Sequence, residues 1–267
     1  MSFHEDTMID SGTNSQLSTQ TSQLVLKIGG NEIDDPAFVA ELARVVAEMR
    51  PVPVLVHGGG KEIGVIQRAL GGEPRFVGGL RVTDAYALQA AEMVLRGLVN
   101  TRLVAALLAV GADAQGLSGV DRGLIRVEQQ LHPEGDLGHV GRPVAVRAEV
   151  LRALLDQNVL PVLAPISLGP DGVYNVNADE AAGAVAAALG DAEVVFVTNV
   201  PGVLVGGEVA AQLTQAKIAL LIADGTISGG MIPKVRAALT ALDAGVRSAR
   251  ITNLAGLGQG TGTVIVG

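Results

Sequence analysis

The sequence predicts an α/β fold built on a mainly parallel sheet. Short β-branched runs alternate with longer amphipathic or alanine-rich runs, the rhythm of stacked βαβ units. Glycine turns follow several of the β-branched runs, where parallel strands hand over to helices. The composition agrees: 48% hydrophobic but only 2% aromatic, with 35 glycines and no tryptophan, calls for Val, Leu, Ile and Ala packed in sheet and helix layers. At 267 residues the chain buries a sizeable core without disulfides or metal staples.

Leu24 to Ile28 reads as a buried strand, Pro36 opens a helix running to about Met49, and Val52 to Val56 reads as the next strand. His57 to Gly60 forms a glycine turn, and the following helix runs from Lys61 to Leu70, where Gly71 and Gly72 end it. Residues 84–110 give one or two helices. Residues 113–147 read as short antiparallel strands with Gly and Pro turns, a region suited to forming a lid over a small substrate. From Val159 the parallel rhythm returns, with Val159 to Leu163 as strand, Ala178 to Leu189 as helix and Glu193 to Val197 as strand. Residues 214–223 and 230–244 read as helices, and Ser248 to Ile251 and Thr263 to Val266 as closing strands. With no Ser/Pro-rich linker and no internal repeat, the expectation is one domain over 24–267 with two lobes, about 24–165 and 166–267.

Bulk properties narrow the function. The absence of cysteine removes thiolate metal sites and cysteine nucleophiles. A formal net charge of -8 argues against a nucleic-acid surface, so any phosphate must be gripped locally. No apolar run approaches the roughly 20 residues that span a bilayer. Residues 1–23 are rich in Ser, Thr, Gln and Asn without the order of a secretory signal, and read as a disordered tail on a cytoplasmic protein.

The chemistry concentrates at glycine turns. Lys27-Ile28-Gly29-Gly30 and His57-Gly58-Gly59-Gly60 each close a predicted parallel strand, at the sheet edge where open α/β folds bind ligands. Glycines let backbone N–H groups approach an anion, although they also simply permit tight turns. Neither turn has Walker A or dinucleotide-fingerprint spacing. Lys27 weighs toward function, because a lysine inside the apolar run LVLKIGG needs an anionic partner at the strand end or a path to solvent. Asp179, in Asn175-Val-Asn177-Ala-Asp179, falls in the first turn of a helix, where capping alone is an alternative role. Lys234 follows Gly229-Gly230-Met231-Ile232-Pro233 at the start of another helix. Two lysines and one aspartate make a charge clamp of the kind phosphoryl transfer needs. Arg81, in Gly79-Leu80-Arg81-Val82-Thr83-Asp84, is a fork for a substrate carboxylate, with Thr83 or Asp84 starting the next helix.

These motifs, with Val200-Pro-Gly-Val203, resemble in order and spacing those of the N-acetylglutamate kinases of the amino acid kinase superfamily, over essentially residues 24–267. The resemblance implies a three-layer αβα sandwich whose N-terminal lobe binds N-acetyl-L-glutamate and whose C-terminal lobe binds ATP carrying its own Mg2+, without a protein metal site. It implies that Lys27 and Lys234 stabilise the transition state and that Asp179 holds both in position. Gly59, Gly60, Arg81 and Asn175 would contact the acylated amino acid, with Gly30 at the phosphates. The nucleotide would lie along Asn199, Val200, Pro201, Gly202, Val203 and Leu204, and along Thr226, Ile227 and Ser228. Asn199 departs from the aspartate common in the family.

Two other readings stay open at this point. One is the sister kinase acting on aminoadipate carried by an acidic carrier protein, against which Gly79-Leu80 and Ile232-Pro233 argue. The other is a non-catalytic amino-acid or nucleotide sensor, for which a charge clamp would be superfluous. Residues 1–23 carry no periodic apolar stripe, so the expected assembly is an arginine-insensitive homodimer.

Overall fold

The computed structural model describes residues 22–59 and 61–267. The tail expected over 1–23 therefore lies outside the described residues up to residue 21, as does Gly60. In chain order the elements begin with β1 (Gln23–Ile28), α1 (Gly30–Ile33), α2 (Pro36–Glu48), β2 (Val54–His57) and α3 (Lys61–Ala69). A hairpin of β3 (Phe76–Val77) and β4 (Leu80–Arg81) leads to α4 (Ala85–Ala91), which continues through a π-helical stretch (Glu92–Val99) into α5 (Asn100–Ala109). Next come β5 (Ala114–Ser118), β6 (Ile125–Gln129), β7 (Val140–Val146), α6 (Ala148–Leu155), β8 (Leu160–Ala164), β9 (Ile166–Leu168) and β10 (Val173–Val176). The remainder is α7 (Ala178–Leu189), β11 (Ala192–Val197), β12 (Leu204–Val205), β13 (Glu208–Val209) and β14 (Gln212–Thr214). It closes with α8 (Gln215–Ala223), α9 (Met231–Asp243), β15 (Ser248–Thr252), α10 (Leu254–Gln259) and β16 (Thr263–Val266).

Eight strands form the main sheet in the order β14-β16-β15-β11-β1-β2-β8-β5. From β15 to β5 every neighbour is parallel, while β16 runs antiparallel to β15 and β14 follows β16. Because successive strand residues point to opposite faces, β1 serves two cores. Val25 packs with Val185 of α7 and Val235 of α9, whereas Leu26 and Ile28 pack with Leu42 of α2 and Leu103 of α5. The result is the expected three-layer αβα sandwich. Lys27 shares the face of Val25, so the period of the strand directs its side chain toward α7. Helix entry is governed locally: Asp35 caps α2 through the N–H of Ala37, with Pro36 supplying a fixed φ at the first position.

One expectation needs correcting. Residues 113–147 are not wholly antiparallel: β5 is the parallel edge strand beside β8, and only β6 and β7 pair antiparallel. The segment Ala114-Gln-Gly-Leu-Ser118 lacks β-branched residues, and its place is set from afar. Gly116 packs so tightly on Asn100 that a Cβ would lie 2.1 Å from its Oδ1. Strands β6, β7, β9 and β10 close into a small ring, and Val140 of β7 and Asn175 of β10 line one cavity with Lys27 of β1.

Candidate active site

The carboxyl ends of β1 and β2 bring the two glycine turns into contact. A Cβ at Gly58 would press to 3.2 Å on the backbone nitrogen of Gly30, and one at Gly59 would come within 2.4 Å of Leu95 Cδ2 and displace that side chain. Into this corner projects Lys27, whose ammonium stands 2.9 Å from Oδ1 of Asp179. Asp179 is not the helix cap: Asn177 takes that role, its side chain accepting from the Asp179 N–H at 2.8 Å. The carboxylate is thus left free for Lys27. The contact is Coulombic rather than an aligned hydrogen bond, and Oδ1, shielded from solvent, has capacity for a further donor.

Two cavities share the wall formed by Lys27, Gly30, Asn31 and Asp179. The larger, about 580 Å3, is also lined by Gly58, Gly59, Arg81 and Asn175. Arg81 is held there from two sides. Its Nη1 donates to Gln67 Oε1 at 3.1 Å, and its guanidinium lies 4.8 Å from the centroid of the Phe76 ring. Burial, and then the neighbouring Arg68, lower its pKa, so the charge is one that an incoming anion would stabilise. Asn175 donates to Thr83 Oγ1 at 3.3 Å. The helix after Arg81 is capped by Asp84, through the Ala87 N–H.

The smaller cavity, about 260 Å3, adds Gly29, Thr198, Gly230 and Lys234 to the shared wall. Lys27 and Lys234 therefore face one space. The expected grip of Asp179 on both lysines is absent, however. Among the described residues Asp179 pairs with Lys27, while the Lys234 ammonium turns back to the Gly230 carbonyl at 3.4 Å. Lys234 sits in the first turn of α9.

The residues expected along the nucleotide divide. Asn199 lines a separate cavity of about 470 Å3 with Asn31, Thr198 and Asn253. Pro201, Leu204, Thr226 and Ser228 are exposed and Val200 is half-buried, but Val203 and Ile227 are buried in the core against α8 and α9. Their side chains anchor the loops and only their backbones can meet a ligand. The reading of the sequence missed Gln67, the buried support of Arg81, and Asn31, common to all three cavities. Gln67 left a trace: it stands four residues after Ile63 on the buried face of α3, where a polar residue needs a partner.

Comparison with known proteins follows the same lines. A family model described as the amino acid kinase family matches residues 22–253. The acetylglutamate kinase of Roseiflexus sp. (strain RS-1) is 76% identical over 239 residues, covering 89% of this chain and 92% of that protein. That of Roseiflexus castenholzii (strain DSM 13941 / HLO8) is 73% identical, covering 91% and 93%. The solved structure of smu.665 from Streptococcus mutans UA159 is 30% identical with a TM-score of 0.74, covering 91% of this chain and 98% of that one. With a glycine-floored cleft, a buried-strand lysine and these matches in hand, the chain belongs to the amino acid kinase family.

Proposed function

We propose that the chain phosphorylates the γ-carboxylate of N-acetyl-L-glutamate with ATP, giving N-acetyl-L-glutamyl 5-phosphate and ADP in arginine biosynthesis. The observation that carries this reading is the meeting of two cavities at Lys27 and Asp179, one with a prepared carboxylate fork and one with a second lysine. The names of the relatives at 76% and 73% identity support the choice of substrate over a carrier-bound aminoadipate.

The chemistry asks for cations and amides rather than a base. An ionised carboxylate oxygen attacks the γ-phosphorus, a C–O–P linkage forms, the bond to the β-phosphate oxygen breaks, and no proton moves. Negative charge gathers on the transferring oxygens, where preorganised donors contribute most. Arg81 and Asn175 hold the acceptor, with Arg81 on its α-carboxylate. Gly59, in the lining of the larger cavity, presents its turn to the acceptor, and the sequence motif adds Gly60 as a contact. Lys27, oriented by Asp179, stands where the two substrates meet, and Gly30 and Lys234 attend the phosphates. The nucleotide, with Mg2+ bound to it, supplies the phosphoryl group and fits this setting because glycine backbone and two ammonium groups line the smaller cavity. Division of labour follows the chain, with about 24–165 taking the acceptor and about 166–267 the nucleotide.

Among the described residues no helix is long and apolar enough to cross a membrane, and we read the enzyme as cytoplasmic. We read its assembly as a homodimer insensitive to arginine. Exposed Tyr86, Met93, Leu98 and Leu108 along the α4 to α5 run, on the side of β5, the edge strand of the sheet among the described residues, supply an apolar surface for a second copy. Light scattering giving a dimer supports this, and an arginine-inhibited hexamer overturns it. The function itself is tested with purified enzyme, Mg-ATP and free N-acetylglutamate, following ADP release and trapping the acyl phosphate with hydroxylamine. Absence of turnover with ample Mg-ATP would overturn the reading.

A further inference from the structure

A polar chain beside the larger cavity takes no part in the chemistry above. His57, the last residue of β2, is fully buried. Its Nδ1 lies 2.9 Å from the Gly58 carbonyl oxygen, and its Nε2 lies 3.0 Å from Nδ2 of Asn100 at the start of α5. The same Asn100 amide nitrogen reaches the Val162 carbonyl at 2.9 Å, and Arg96 Nη1 meets Asn100 Oδ1 at 3.2 Å.

The proton positions follow by elimination. A guanidinium only donates, so Asn100 Oδ1 accepts from Arg96, and its Nδ2 is the donor toward both Val162 and His57. A donor directed at Nε2 requires that nitrogen to be bare. Burial foremost, and to a lesser extent the charge of Arg96, outweigh the Gly58 hydrogen bond and pull the His57 pKa down to about 4. The ring is therefore neutral near pH 7, and its one proton sits on Nδ1, donated to the Gly58 carbonyl.

That bond decides where another group points. The Gly58 carbonyl and the Gly59 N–H belong to one planar trans peptide, so they face opposite ways. A carbonyl held toward the buried imidazole turns the Gly59 N–H away from it, and Gly59 lines the larger cavity. Between two glycines no side chain resists rotation of this peptide. Among the described residues the Gly59 N–H has no backbone acceptor.

We propose that His57 is a positioning residue for the transfer: its Nδ1–H fixes the Gly58–Gly59 peptide so that the Gly59 N–H faces the anionic oxygens of the acceptor's reacting carboxylate. The inference rests on the kinase reading of this site. Arg96 and Asn100, four residues apart across the π-helical stretch, extend the support into the long helix.

The tautomer is read directly from 15N-histidine NMR of the full chain, which has four histidines, with His57→Asn identifying the signal. The Nδ1–H form should persist from about pH 8 to about pH 5. An Nε2–H form, or an imidazolium at about pH 6, overturns the proposal. In kinetics, His57→Leu should lower kcat/KM for N-acetylglutamate about 100-fold while KM for ATP stays within about threefold. His57→Asn, whose amide donates from near the Nδ1 position, should recover about tenfold of that loss. Equal losses in the two variants, or full activity in His57→Leu, overturn it. If neither variant folds, the wild-type tautomer still decides. Failure of wild-type turnover with N-acetylglutamate would sink the assigned reaction instead, leaving the tautomer to judge the imidazole.

Discussion

The cavity around Arg81 and the cavity around Lys234 share one wall but are held in different ways. On the Arg81 side several polar groups have protein partners: Gln67 and Phe76 fix the guanidinium, Thr83 holds Asn175, and His57 grips the glycine turn. On the Lys234 side the ammonium has, among the described residues, only a long contact to the Gly230 carbonyl, and the loops at Val200–Leu204 and Thr226–Ser228 line none of the described cavities. Arg81 and Asn175 are thus held by neighbouring side chains, whereas Lys234 rests on that one long contact. Preorganisation should therefore show as sensitivity to substitution.

The largest effect belongs to the shared wall. Lys27→Ala should lower kcat by about a thousandfold or more, since it removes a full charge from the reacting centre. ATP binding should stay measurable by calorimetry. Near-normal turnover would dissolve the comparison by removing the point where the cavities meet.

Acid should loosen the Arg81 side. An unfolded histidine takes up its proton near pH 6.5, while buried His57 does so only near pH 4. The unfolded state therefore binds the proton first as pH falls. Stability contributed by the neutral ring is complete above about 6.5 and drains away toward 4, by on the order of 3 kcal/mol. Urea unfolding across this window should show the slope in the wild type and lose it in His57→Asn.

Next in size is the fork. Arg81→Gln should raise KM for N-acetylglutamate by about 10- to 100-fold with a smaller change in kcat, the signature of lost ground-state binding. Gln67→Leu, which only frees the guanidinium, should raise it about tenfold or less. An equal effect on KM for ATP would show that the two sides are not separate. The smallest effect is expected on the unsupported side: Ser228→Ala should shift KM for ATP by no more than about threefold.

The same contrast explains what was legible beforehand. Lys27 stood out because one charge interrupts LVLKI and needs an anion or a path to solvent at the strand end; that it shares the face packed on α7 came from the structure. Helices with local punctuation, such as Pro36 at the start of α2, fell within a residue or two of their observed bounds. Edge strand β5 was misread because long-range packing, not local β-propensity, sets its place. Helix α6 and the hairpin of β12 and β13 are short and were passed over. The support of His57 by Asn100 spans 43 residues and could not be read from spacing. Val203 and Ile227 were counted among contact residues although both complete the core, a distinction that an apolar residue in a loop motif does not advertise.

The central claim is that one phosphoryl group passes straight from the Lys234 cavity to the Arg81 cavity past Lys27, with no side chain carrying it. Transfer from ATP made chiral at the γ-phosphorus with oxygen isotopes tests this directly. A single in-line displacement predicts inverted configuration in the acyl phosphate. Retention would mean a phosphorylated enzyme group, with Asp179 the first suspect, and would contradict the account.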